Sequence, residues 1–201
     1  MTNFQFNYNR DNLNLDIILP GSSAGIESSL IKKILNLSFI KGNSSLSLNY
    51  PFYERGENTT SSEEFSEEIE NLDSILKFCK YEKYNNIRFI GKSLGAIIAS
   101  YYLSTLDRKE MHRYSIVVLG YDIGYINLKN FIGDIHIIQG EYDRFGNIEK
   151  VREDLKNAKS KFIRYNQIKG ADHSFKNPNT GEFEFEDEAI NKIYEEYSKI
   201  L

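Results

Sequence analysis

Short apolar runs alternate with stretches of helical periodicity along most of the chain. Residues 13–19 read as a leucine- and isoleucine-rich strand that Pro20 and Gly21 stop. A helix is expected around residues 26–35. Residues 44–50 form a second strand pattern, with Leu46, Leu48 and Tyr50 alternating against serine and asparagine. After a polar loop (54–62), residues 61–80 carry the strongest helical signature. Ser61 and Glu64 have the spacing of a capping box, and Phe65, Ile69, Leu72, Leu76 and Cys79 share one apolar face. Three further runs, 87–90, 115–119 and 135–138, are continuously apolar, as expected of parallel strands covered on both faces. A last strand is expected at 162–165. A closing helix over 187–201 should bury Ile190, Ile193, Tyr194 and Tyr197.

Strands separated by helices predict a three-layer αβα sandwich with a mostly parallel sheet. No repeat, linker or composition break divides the chain, so residues 1–201 are expected to form one domain. Ligands of such sheets bind beyond the carboxyl ends of the strands, and the candidate chemistry falls there.

The most specific feature is Gly91-Lys92-Ser93-Leu94-Gly95, which follows the strand at 87–90 and opens a helix beginning Ala96-Ile97-Ile98-Ala99. A strand, G-x-S-x-G and a helix together make the layout of a nucleophile elbow, in which the glycines permit a sharp turn around a strained serine. A phosphate-binding loop would need glycine where Asn86 stands, and an open loop where the chain is apolar. A serine hydroxyl needs a base, and the base needs an orienting acid. Asp143 lies in the loop after the strand at 135–138, and His173 follows the last strand. Asp122, just after the strand ending near Leu119, is the rival acid. Asp172 adjoins His173 and is assigned to shaping its loop. His136 lies within a strand and His112 in a charged loop, neither at metal-ligand spacing, and Cys79 belongs to an apolar helix face.

The segments around residues 91–95, 140–146 and 170–175 resemble the α/β-hydrolase superfamily. Within it they are most similar to small lidless members of the dienelactone-hydrolase-like group. Residues 48–56 add a weaker likeness. The resemblance implies a triad of Ser93, His173 and Asp143. It also implies an oxyanion hole from the backbone N–H of Leu94 and a second N–H in the loop after the first major strand. There Pro20 replaces the family's usual histidine, and Ser22 is the expected second donor. The family's cap would be inserted after Leu119, but the chain reaches its next strand by Ile135. An open, shallow site without a cap domain is therefore expected. Tyr50, Phe52, Tyr53, Tyr121 and Tyr125 are either its rim or ordinary core.

The 201 residues include 40% hydrophobic and 27% charged positions with net charge −4, a balance that favours neither nucleic acid nor an anionic membrane as partner. A single cysteine excludes an internal disulfide, and the polar start lacks a signal-peptide pattern, so a cytoplasmic location is expected. The activity expected is hydrolysis of small esters or thioesters through an acyl-enzyme, with a small acyl substrate as partner and no cofactor or metal. Acyl transfer by the same residues, and a non-catalytic binding module on the same fold, remain as alternatives.

Overall fold

In a computed structural model, residues 2–60, 62 and 64–197 are described. Seven strands form one sheet: β1 (Phe4–Asn7), β2 (Asn14–Leu19), β3 (Ser44–Leu48), β4 (Asn86–Lys92), β5 (Tyr114–Leu119), β6 (Asp134–Gly140) and β7 (Ile163–Ile168). Their spatial order is β1-β3-β2-β4-β5-β6-β7. All neighbours pair in parallel except β1, which runs antiparallel to β3. Among the described residues, six α-helices accompany them: α1 (Ser29–Ile40), α2 (Pro51–Glu54), α3 (Ser66–Phe78), α4 (Leu94–Ser104), α5 (Ile148–Asp154) and, after the last strand, α6 (Glu186–Tyr197).

The apolar runs explain the layering. Successive strand side chains point to opposite faces, so a strand apolar at every position must be covered on both. Ile17, Phe89 and Val118 enter one core with Leu72 and Leu76 of α3, Ile98 of α4 and Val151 of α5. Ile18, Ile90 and Val117 enter a second core with Ile31 and Ile34 of α1 and Ala189 and Ile193 of α6. These two cores, one on each side of the sheet, make the three-layer αβα sandwich expected from the sequence.

Several elements differ at their edges. The helix expected from residue 61 begins at Ser66, because Phe65 takes a left-handed φ of 54°. That turn sets the Phe65 ring edge-on to Tyr101, with centroids 5.2 Å apart. Glu64 lies in a turn ahead of the helix, and Ser61 lies outside the described residues. Tyr194, expected in the core, is 47% exposed and lies beneath the Lys41 ammonium, 3.7 Å from its ring centroid. Tyr197, also expected there, lies outside the described side chains. The chain's polar start hides β1, which sends Phe4 and Phe6 against the core. The segment between β5 and β6 is irregular, with Ile126, Leu128 and Phe131 buried, and carries no cap. Among the described residues, no helix is long and apolar enough to cross a membrane.

Candidate active site

β4 runs into α4 through Ser93, whose φ of 49° and ψ of −115° put a non-glycine residue in a strained conformation. The flanking glycines allow it by close approach. A Cβ on Gly91 would lie 2.4 Å from the Ala96 nitrogen, and one on Gly95 would lie 2.3 Å from the Leu19 carbonyl oxygen. Helix and strand therefore pack backbone to backbone, and the serine is forced up at the carboxyl edge of the sheet. Its N–H donates to the Leu119 carbonyl at 3.0 Å, tying the turn to β5.

The loop after β7 brings His173 over this turn, with Nε2 2.9 Å from Ser93 Oγ. Asp172 shapes that loop by accepting from the N–H groups of Ser174 (2.7 Å) and Lys176 (2.8 Å). The loop after β6 supplies Asp143, which is buried and places Oδ2 2.8 Å from His173 Nδ1. Its Oδ1 accepts the Phe145 N–H at 2.9 Å, which holds the carboxylate in that direction. The two loops are joined where the Tyr142 N–H donates to the Ala171 carbonyl at 2.8 Å.

Asp122 is also present, on a different side of the imidazole. Its Oδ1 is 3.7 Å from His173 Nε2, and its Oδ2 accepts from Ser93 Oγ at 3.4 Å. Asp122 is 7% exposed, and Oδ1 finds no hydrogen-bond donor among the described residues. Burial raises its pKa, against the opposing pull of His173 and Lys92. Between the rival acids, then, it is Asp143 that faces Nδ1.

Some of the site's surroundings carry no motif in the sequence. Gln139, fully buried, accepts the Tyr121 N–H at 2.6 Å and donates to the Gly146 carbonyl at 2.6 Å. One amide thus staples the loop bearing Asp122 to the loop bearing Asp143. Phe145 sets its ring edge-on to His173, with centroids 4.7 Å apart. Lys92 lies beneath the site, and burial pushes its ammonium down to about 8, while Asp143, Asp122 and Asp172 pull the other way. A Cβ on Gly120 would lie 3.0 Å from its Nζ and 2.9 Å from His173 Cε1, so that glycine leaves room for both side chains.

Leu94 is the first residue of α4, where backbone N–H groups lack intrahelical acceptors. Gly21 passes close by: a Cβ there would lie 4.0 Å from Ser93 Cβ. Tyr50 braces the same loop by donating from its hydroxyl to the Pro20 carbonyl at 2.9 Å. Ser22 follows as an exposed turn residue. Of the aromatics expected at the rim, Tyr50, Phe52 and Tyr121 are core, whereas Tyr53 and Tyr125 are exposed. A cavity of about 780 Å³ opens at the opposite, amino-terminal edge of the sheet, lined by Asn14, Arg88, Ser115 and Asp134. Among the described residues, no group of three or more His, Cys, Asp or Glu side chains is arranged to hold a metal ion.

A parallel sheet with a strained serine after its central strand, and a histidine and an acid after later strands, defines an α/β-hydrolase architecture. Residues 15–201 match the family model described as the alpha/beta hydrolase domain, and the chain belongs to that family. The match is to the domain as a whole and does not single out the dienelactone-hydrolase-like group within it. Among solved structures, the chain is similar to a protein of unknown function from Agrobacterium tumefaciens assigned to the alpha/beta hydrolases. The two share 18% identity and a TM-score of 0.77, over 98% of this chain and 90% of that one. An alpha-beta serine hydrolase homologue from Coxiella burnetii is 14% identical with a TM-score of 0.70, over 98% and 90% of the two chains. Est1E from Butyrivibrio proteoclasticus, solved with ferulic acid bound, is 13% identical with a TM-score of 0.68, over 98% and 95%. At these identities the likeness is one of fold. No curated protein matches the sequence.

Proposed function

We propose that the protein is a serine hydrolase that cleaves small esters or thioesters through an acyl-enzyme. One observation carries this reading: the unbroken chain of contacts from Asp143 through His173 to Ser93, at 2.8 and 2.9 Å. With Nδ1–H donating to Asp143, the neutral imidazole keeps its Nε2 lone pair for the serine proton. Ser93 Oγ attacks the acyl carbon as His173 takes its proton, and the carbonyl π electrons move onto the oxygen. The N–H groups of Leu94 and Ser22 receive that oxyanion, each contributing roughly 3 kcal/mol of transition-state stabilisation. Collapse expels the alcohol or thiol, which leaves with the proton from His173. Water then repeats the sequence on the acyl-enzyme, and Ser93 is regenerated.

The uncapped segment after β5 supports small or water-accessible substrates over a long chain enclosed in a tunnel. Phe145 offers apolar surface beside the histidine, and Tyr142, 60% exposed, lies in the same loop as Asp143. A panel of p-nitrophenyl esters and acyl thioesters of increasing chain length tests the proposal. Turnover should be highest for short acyl groups and vanish in Ser93→Ala. Equal turnover by Ser93→Ala would overturn it.

A further inference from the structure

With Asp143 on Nδ1, Asp122 has no place in the triad, and packing does not account for it. It is buried, its Oδ1 has no donor among the described residues, and its side chain ties down no backbone. A buried carboxylate in that state costs stability, and its persistence points to a task. Its two oxygens face the two atoms that exchange the proton: Oδ2 lies 3.4 Å from Ser93 Oγ and Oδ1 3.7 Å from His173 Nε2. In the free protein, the single hydroxyl hydrogen of Ser93 is placed between two acceptors, Nε2 and Asp122.

We propose that Asp122 holds the water that cleaves the acyl-enzyme and so commits the acyl group to hydrolysis rather than to transfer onto an alcohol. The proposal rests on the serine-hydrolase reading above. Once Ser93 is acylated, its hydrogen is gone, and both Nε2 and Asp122 lack their donor. Water restores both, giving one hydrogen to each. An alcohol or thiol has one such hydrogen and must leave the buried carboxylate unsatisfied, a loss that discriminates strongly in a desolvated site. The step balances. The water oxygen bonds to the acyl carbon, one water proton passes to Nε2, and the carbonyl π electrons move to the oxyanion. On collapse the bond from the acyl carbon to Oγ breaks, and Oγ takes the proton from Nε2. Asp122 keeps its hydrogen bond to the second hydrogen throughout and ends unprotonated. Lys92, the cation facing the carboxylates from β4, helps keep Asp122 ionised.

The test is pre-steady-state hydrolysis of p-nitrophenyl acetate by the full chain, wild type, Asp122→Asn and Asp122→Ala, with methyl acetate measured in a fixed concentration of methanol. Both variants should release about one nitrophenolate per site in a burst at near wild-type rate. Their steady-state turnover should then fall roughly tenfold or more, with the methyl acetate fraction rising several-fold. The Asn variant should be the milder, since its amide oxygen still accepts. Two results would overturn the proposal: wild-type turnover and partition in both variants, or a burst that slows in step with turnover while the methyl acetate fraction stays fixed. A wild type that neither bursts nor turns over defeats the serine-hydrolase reading itself, a result distinct from a changed partition.

Discussion

The carboxylate of Asp143 meets His173 at Nδ1, 2.8 Å away, on the side of the ring opposite Ser93. In the proposed mechanism that contact selects the tautomer in which Nε2 is free to accept, and stabilises the imidazolium formed when the serine proton arrives. Asp143→Asn keeps the shape but offers an amide that can donate to Nδ1 and stabilise the wrong tautomer. Its kcat is expected to fall by about 10⁴ with little change in KM. Steady-state kinetics on a short-chain ester checks this, and a near wild-type kcat would remove Asp143 from the mechanism.

Asp122 should show the reverse relation between stability and function. Its folded-state pKa is raised by burial, so the unfolded chain holds the ionised form more easily. The folded protein therefore gains relative stability at acid pH and loses it as pH rises through that raised value. Asp122→Asn removes the charge without changing the volume and should stabilise the protein by roughly 1 kcal/mol at neutral pH. Thermal melts should show that gain shrinking toward acid pH; a variant less stable than wild type at neutral pH contradicts this.

Lys92 makes a prediction at alkaline pH. Its ammonium is pushed from 10.5 down to about 8 in the folded protein. Between those values the unfolded chain binds the extra proton, so stability from this group rises with pH. Lys92→Met lacks the group. Denaturant midpoints taken from about pH 7 to about pH 10 should move in favour of wild type relative to the variant as pH rises. A constant difference across that range would place the lysine in an ordinary solvated setting.

Gly95 tests the elbow's architecture. An added methyl would meet the Leu19 carbonyl oxygen at 2.3 Å, with the Leu19 carbonyl carbon and Pro20 carbonyl oxygen each at 2.7 Å. All three are backbone, so α4 must move from the strand. Alanine is the better helix former, yet Gly95→Ala should lose about 1–3 kcal/mol of stability in chemical denaturation. A gain would mean the helix and strand are farther apart than the structure places them.

The sheet and the chain order of the site were readable in the sequence because strands buried on both faces leave unbroken apolar runs, and the elbow needs glycines at fixed spacing. Ile17 and Ile18 announce two cores in adjacent letters. Ser93 and Asp143 stand out because each follows such a run, and His173 because it follows the last strand, a mixed one. What tertiary contacts decide was not legible. The capping signature at residues 61 and 64 predicts an earlier start to α3, but the left-handed turn at Phe65, which sets its ring on Tyr101, delays it. The short β1 has too few residues to show a period, and pairing with β3 makes it a strand. Gln139 and Lys92 look like ordinary polar residues; their importance comes from which loops and carboxylates the fold sets around them. Asp122 was visible as a candidate acid, but only the position of the ring distinguishes Nδ1 from Nε2.

The most direct measurement is the site of covalent modification by a fluorophosphonate, a reagent that needs a serine activated by its neighbours. Peptide mass mapping should find a single adduct on Ser93, abolished in Ser93→Ala and strongly slowed in His173→Ala. A folded wild-type protein that stays unmodified, or carries its adduct on another residue, would contradict the account.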